Sequence, residues 1–207
     1  MSFDLKANPF DLFSKFMSEA QIKGIPDHNA MNLATVNGDG SAGSINDQPR
    51  PSNRIVYYKG LIRGGFSFYT NYLGRKGLDL EKNKFCSANF FWSHLDQQIR
   101  IDGYVEKLTA EESDRYFQTR ARVSQIGAWA SLQSQPLKEY SEFEKRFEKL
   151  ELQFKNTKVP RPPHWGGYVI LPLEIEFWFG KNGRLHERYV FNRIDINAEW
   201  NRFMRYP

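Results

Sequence analysis

From residue 32 onward the chain is divided into short runs of β-branched and aromatic residues, separated by turn formers. Asn32-Leu-Ala-Thr-Val-Asn37, Arg54-Ile-Val-Tyr-Tyr-Lys59 and Phe66-Ser-Phe-Tyr-Thr-Asn71 each read as a strand, as do Phe85 to Trp92 and Gln98 to Leu108. Tyr168-Val-Ile-Leu171, Glu174 to Phe179 and Leu185 to Asn192 continue the series. Gly64-Gly65 and Asn182-Gly183 are two-residue turns. Strands joined mostly by short turns close most simply as an antiparallel barrel.

The helical signals are fewer. Phe10, Phe13, Phe16, Met17 and Ala20 recur at threes and fours, and Gly24 and Pro26 stop that helix. Gly74 to Asn83 is short and charged. Thr109-Ala-Glu-Glu112 is a capping box that starts a helix over 110–119. Tyr140, Phe143, Phe147, Leu150 and Phe154 predict a helix over 138–155 that covers a sheet or a partner subunit. These helices are too few and too irregularly spaced for a parallel βαβ sheet. The expected fold is therefore mainly β with flanking helices (α+β). One domain over 1–207 is expected, with an N-terminal helical segment 1–29, a long loop 38–53 and C-terminal strands within 160–207.

Composition narrows the function. The chain has 207 residues, 40% hydrophobic and 15% aromatic, enough to build a core and too much for a disordered chain. No apolar run approaches the roughly 20 residues of a membrane span. Met1 to Phe10 has no secretory cleavage pattern, so a cytoplasmic protein is expected. The net charge is +5, but the Lys and Arg residues are dispersed, which argues against nucleic acid as partner. Cys86 is the only cysteine, in an apolar strand, and reads as a buried thiol. The four histidines form no His-x-x-x-His or Glu-x-x-His pattern, so no metal site is expected.

The candidate chemistry lies in cations at strand and helix ends. Arg54 and Lys59 bracket one strand; five residues apart, they are expected on opposite faces. Arg75-Lys76 opens a short helix, where backbone N–H groups and cationic side chains can hold a phosphate. Tyr116, Arg120 and Ser124 recur at fours; on one continuous helix they share a face suited to a phosphate, and otherwise they are ordinary helix residues. Arg184, His186 and Arg188 alternate, which on a strand puts all three on one side.

Together these pieces resemble the pyridoxine (pyridoxamine) 5′-phosphate oxidase family. The resemblance runs from Asn8-Pro-Phe-Asp-Leu-Phe13 to Arg205-Tyr-Pro207. It is carried by Arg54 to Lys59, Phe68-Tyr-Thr-Asn71 with Gly74-Arg-Lys76, Gln98-Ile-Arg-Ile-Asp-Gly103 and Tyr116-Phe-Gln-Thr-Arg120. Ser124-Gln-Ile-Gly-Ala-Trp129, Gln133-Ser134, Trp165-Gly-Gly167, Glu176-Phe-Trp178 and Arg184-Leu-His-Glu-Arg188 complete it. It implies an antiparallel Greek-key split barrel that works as a homodimer with FMN at the subunit interface. It implies oxidation of pyridoxine 5′-phosphate or pyridoxamine 5′-phosphate to pyridoxal 5′-phosphate, with O2 consumed and H2O2 released. In family terms Arg54, Ile55, Val56, Tyr57, Tyr58, Lys59, Tyr69, Thr70, Arg75 and Lys76 hold FMN, and Gln98, Gln133, Ser134, Trp178 and Arg188 complete its pocket. Lys59, Tyr116, Arg120 and Ser124 hold the substrate phosphate, and Arg184 and His186, the catalytic pair, lie over the pyridine ring. The chain departs from the family pattern in its longer 38–53 stretch, in Tyr57-Tyr58, and in Arg120-Ala-Arg122, which lacks a proline. The alternatives are a related split-barrel flavin oxidase of phenazine-pathway type and a non-catalytic binder of flavin or B6 phosphate.

Overall fold

The computed structural model describes residues 3–38 and 48–207. Nine strands form one sheet among the described residues, and every pairing in it is antiparallel. They are β1 (Ala30–Val36), β2 (Pro51–Tyr57), β3 (Leu61–Ile62), β4 (Gly65–Asn71), β5 (Phe85–Trp92), β6 (Gln97–Lys107), β7 (Trp165–Phe179), β8 (Glu187–Asn192) and β9 (Asn201–Met204). The order is β2-β1-β5-β6-β7-β4-β3, with β8 and β9 added beyond β7. The barrel closes just after β2. There the Lys59 N–H donates to Ser67 O at 2.9 Å, and the Ser67 N–H donates to Gly60 O at 3.0 Å.

Strand alternation builds the interior. Met31 and Leu33 of β1, Phe66 and Phe68 of β4, Ala88, Phe90 and Trp92 of β5, and Ile99 and Ile101 of β6 all point inward and are buried. Helix α1 (Pro9–Ile22) plugs one end. Asn8 caps it, accepting the Phe10 N–H at 2.9 Å, and Pro9 sits in the first turn, where no backbone donor is needed. Phe13 then enters the barrel, with ring centroids 4.8 Å from Phe66 and 5.3 Å from Phe90. Helices α2 (Arg75–Lys82), α3 (Ala110–Thr119), α4 (Arg122–Ala130) and α5 (Tyr140–Gln153) flank the sheet. A smaller apolar cluster of Phe117, Ile126, Phe154, Val159 and Trp165 joins α3 and α4 to the start of β7.

The mainly β class with flanking helices stands, and several local expectations change. The 38–53 stretch is not loop throughout: β2 begins at Pro51, paired with Val36. A proline is tolerated there because β2 pairs only at its β1 side along this stretch. Gly38 and residues 48–50 are irregular, and residues 39–47 lie outside the described residues. The two strands expected over 168–171 and 174–179 are one strand, β7. A register shift against β6 between Asp102 and Gly103 absorbs Pro172 without breaking the ladder. Only glycine fits at 103, since a Cβ would lie 2.2 Å from Leu171 O. Strand β9 was not expected from the sequence. The aromatic stripe of α5 lies against α4, with the Arg146 Nε donating to Ala130 O at 2.9 Å. No α5 side chain is fully buried, and Tyr140 and Leu152 are exposed.

Candidate functional site

A cleft of about 570 Å³ opens where the end of β2, the end of β4, the start of α2 and the α3–α4 junction meet. Local sequence explains the convergence. The capping box starts α3: Thr109 Oγ1 accepts the Glu112 N–H at 3.2 Å, and Glu112 Oε2 accepts the Thr109 N–H at 2.7 Å. The helix ends at Thr119. Arg120 and Ala121 are extended (ψ 148° and 142°), and α4 restarts at Arg122. Tyr116, Arg120 and Ser124 therefore do not lie on one continuous helix, as their spacing suggests. The break nonetheless brings all three to the cleft wall.

The cleft is positively charged. Its charged lining residues are Lys59, Lys76 and Arg120, and it has no Asp or Glu. Among the described residues the Lys76 ammonium reaches only neutral acceptors, Thr70 Oγ1 at 3.1 Å and Gln133 Oε1 at 2.9 Å. Gln133 can cross the start of α2 because residue 74 is glycine; a Cβ there would stand 2.6 Å from Gln133 Oε1. Burial, reinforced by the nearby Arg54 charge, holds the Lys76 ammonium below its ordinary pKa. Burial likewise lowers that of Arg120, while Tyr116 opposes the shift. Arg120 Nη1 is buried with no hydrogen-bond partner among the described residues. Its guanidinium lies 4.6 Å from the Trp165 ring centroid. Tyr69 stacks on Tyr116 at 3.8 Å and on Trp165 at 5.5 Å, so three parallel rings and a guanidinium form one wall. Burial, with Tyr116 second, pushes the Tyr69 hydroxyl up to about 12.

A second cleft of about 510 Å³, between α1 and the β6–β8 region, carries both signs: Lys15, Lys23 and Lys181 beside Asp4, Glu19 and Glu187. Charge alone therefore separates the two.

The other expected site residues are distributed as follows. Ile55, Val56, Tyr57, Lys59, Tyr69, Thr70, Lys76 and Gln133 line the first cleft with Tyr116, Arg120 and Ser124. Arg54 lies behind it: Nη1 donates to Thr35 Oγ1 at 2.7 Å and to Leu33 O at 3.2 Å, and Nη2 is 3.7 Å from Asp79. Lys59 is not on the strand with Arg54, because β2 ends at Tyr57, so the opposite-face argument does not apply. Tyr58 packs in the barrel against Phe13 and Phe90. Arg75 and Ser134 line an adjoining hollow with Asn37 and Asp79. Cys86 is a buried free thiol, pushed up to about 12 mainly by burial. No cluster of three potential metal-ligating side chains exists among the described residues.

Gln98, Trp178 and Arg188 form a separate group on one rung across β6, β7 and β8. The His186 ring lies 4.6 Å from that of Trp178. Arg184, His186 and Arg188 do not alternate on a strand, because β8 begins only at Glu187. Arg184 sits in a 3₁₀ turn with φ +62°, and His186 Nδ1 accepts the Lys181 N–H at 3.2 Å. The Asn-Gly turn is wider than a two-residue hairpin, which removes the alternation. Trp165 in the first cleft and Trp178 in this group lie at opposite ends of β7, about 40 Å apart along the strand at about 3.3 Å per residue.

Sequence reasoning did not assign Asn71, Ala121 and Trp165 of the cleft, nor Asp79 and Glu176 beneath the two groups. Trp165 and Glu176 fall inside motifs noted above; Asp79 has no signal beyond its helix.

Fold and site together define an antiparallel barrel with a cationic, aromatic-walled cleft, a class whose charge suits anionic ligands. Residues 17–154 match the family model described as pyridoxamine 5′-phosphate oxidase, and residues 165–207 match the pyridoxine 5′-phosphate oxidase C-terminal dimerisation region. The chain belongs to the pyridoxamine 5′-phosphate oxidase family. A pyridoxine/pyridoxamine 5′-phosphate oxidase of Bdellovibrio bacteriovorus is 49% identical over 99% of this chain and 100% of its own length. The enzyme of that name from Nostoc punctiforme is 42% identical over 95% of this chain and 87% of its own. Among solved structures, PhzG from Burkholderia lata 383, in complex with tetrahydrophenazine-1-carboxylic acid, superposes with a TM-score of 0.84. It is 28% identical, with 97% of this chain and 93% of that chain covered.

Proposed function

We propose that this chain oxidises pyridoxine 5′-phosphate or pyridoxamine 5′-phosphate to pyridoxal 5′-phosphate, with FMN as cofactor, O2 as oxidant and H2O2 as by-product. The observation that carries this reading is the cleft holding Lys59, Lys76 and Arg120 with no carboxylate. Both the substrate and FMN bring a phosphate, and charge-assisted bonds from Lys and Arg are the strong ones. The residues fit such groups: among the described residues, Arg120 Nη1 is buried and unpartnered, and Lys76 has only neutral acceptors.

In this reading Lys76, Thr70 and Gln133 hold FMN with Arg75 and Ser134 alongside, while Lys59, Tyr116, Arg120 and Ser124 hold the substrate phosphate. Ile55 to Tyr57 would lie along the flavin, and Arg54 would support them from behind through Thr35 and Asp79. When bound, FMN supplies the two-electron acceptor and its reoxidation by O2. The protein's part is to hold the substrate carbon in register and exclude water. The Tyr69–Tyr116–Trp165 wall serves the second purpose.

Gln98, Trp178, Arg184, His186 and Arg188 sit too far along β7 to share one ligand with that cleft. A second copy of the chain brings them to it. Two further features support a homodimer. The matched dimerisation region, 165–207, contains four of those five residues. On the outer face of the sheet, Asn32 and Asn89 oppose each other with buried, unpartnered carboxamide oxygens, near exposed Ile55, Tyr57 and Phe91. Buried polar atoms left unpaired are uncommon, and a partner surface satisfies them. No described helix is long and apolar enough to cross a membrane, and we place the enzyme in the cytoplasm.

The likeness to PhzG favours one second reading, an oxidase of tetrahydrophenazine carboxylates. Steady-state formation of pyridoxal 5′-phosphate, with and without added FMN, separates the two. The expected result is FMN-stimulated turnover of a B6 phosphate with O2 uptake. Turnover of a tetrahydrophenazine carboxylate alone would replace this reading with the second.

Lys76 also predicts a pH dependence. Its folded pKa lies below 10.5, so the ammonium loses its proton at lower pH than an ordinary lysine. Affinity for a phosphate held there is full below that lowered value and falls as pH rises through it. FMN titrations should weaken on the alkaline side, and Lys76→Arg should remain flat over the same range. A parent profile that is flat as well would remove Lys76 from the phosphate site.

A further inference from the structure

The group at the far end of β7 rests on a buried acid that the proposed reaction does not itself use. Glu176 is 1% exposed, near the end of β7. A carboxylate so far from water needs close partners, and it has three arginines. Arg188 grips it from two sides, Nε to Oε1 at 3.0 Å and Nη2 to Oε2 at 2.8 Å. Arg205 Nη1 reaches Oε2 at 3.0 Å, and Arg100 Nη1 lies 3.8 Å from Oε1. Arg205 is itself held by Glu174 through two bonds of 2.9 Å. The chain end closes the cage: the Arg205 N–H donates to Arg188 O at 3.0 Å, and Arg188 Nη1 donates to Tyr206 O at 3.1 Å.

We propose that Glu176 is a positioning residue for Arg188, and that Arg205, with the C-terminal segment it anchors, completes the clamp. This rests on the reading of Arg188 as an FMN-binding residue. Arg188 has five N–H donors in a rigid fork. Three of them are committed, two to Glu176 and one to Tyr206, which fixes the guanidinium plane and leaves two donors for a ligand. The backbone ladder from β7 to β8 holds the strands without this cluster. What the ions add is a single direction for Arg188. An arginine free to rotate would lose orientation and bind an anion less tightly.

The test is a double-mutant cycle read by FMN affinity, through quenching of flavin fluorescence on binding to apoprotein. Glu176→Gln keeps the shape and removes the charge. Its dissociation constant for FMN should rise about tenfold, the loss of one charge-assisted bond. In an Arg188→Ala background the same change should add less than about twofold. Arg205→Ala should weaken FMN by a few-fold, again only while Arg188 is present. It also decides the matter should Glu176→Gln fail to fold. Equal weakening with and without Arg188 would show Glu176 to be merely structural and would overturn the proposal. So would unchanged FMN affinity in both Glu176→Gln and Arg205→Ala while Arg188→Ala binds poorly. Unchanged affinity in Arg188→Ala itself would instead overturn the reading of Arg188 on which this rests.

Discussion

Arg120→Ala should raise KM for pyridoxine 5′-phosphate by about ten- to hundred-fold while the purified protein keeps its FMN. The guanidinium is half-buried between α3 and α4, over Trp165, with one nitrogen lacking any partner among the described residues. A group buried at that cost and left unpaired is set for a ligand. Loss of a charged hydrogen bond costs about 1.5–3 kcal/mol, which at about 1.4 kcal/mol per decade gives the range stated. FMN content should hold, because Lys76, Thr70 and Gln133 bond to one another and not to Arg120. Steady-state kinetics and the flavin absorbance of the same preparation check both halves. Parallel loss of FMN and of substrate affinity would assign Arg120 to the other phosphate.

Mixed dimers should recover activity that neither parent has. Let one copy carry Arg120→Ala and the other the pair Arg184→Ala and His186→Ala. Each homodimer should lose at least about tenfold in kcat/KM, since one polar contact to the reacting ring is worth a few kcal/mol. In a two-fold dimer whose site takes its cleft from one copy and its β7–β8 turn from the other, a random mixture leaves about a quarter of the sites intact. Co-expression with two tags and assay of the mixture should then give about a quarter of parental kcat/KM. Activity no higher than the mean of the two variants would place each site within a single chain. A pair variant within about twofold of the parent, below roughly 0.5 kcal/mol, would make Arg184 and His186 ordinary turn residues. Their setting makes that outcome a fair contest: neither lies on a strand, and Leu185 between them is exposed.

Local chemistry was legible wherever its cause is local. The capping box at Thr109 and Glu112 formed as read, because both bonds lie within four residues. The period-two alternation of β5 and the threes and fours of α1 gave the right elements, since each buries one face. Other readings failed where a distant partner decides. Tyr116, Arg120 and Ser124 came together across a helix break that their spacing does not show. Arg184 left the strand because pairing of β8 begins opposite Phe179, at Glu187. Strands 168–171 and 174–179 merged because β6 carries the shift that Pro172 requires.

By itself, then, the sequence determined the antiparallel class, most of the strands and the cationic residues of the cleft, since periodicity, turn residues and charge are properties of short segments. Only the tertiary structure decided which cations are free to bind. Arg54 and Arg205 are committed to Asp79, Glu174 and Glu176, and Arg188 is held by Glu176 with two donors to spare, while Lys76 and Arg120 meet no acid among the described residues. The physical reason is distance. An ion pair depends on where two strands or helices meet after folding, and Arg54 meets a carboxylate 25 residues away, on another element.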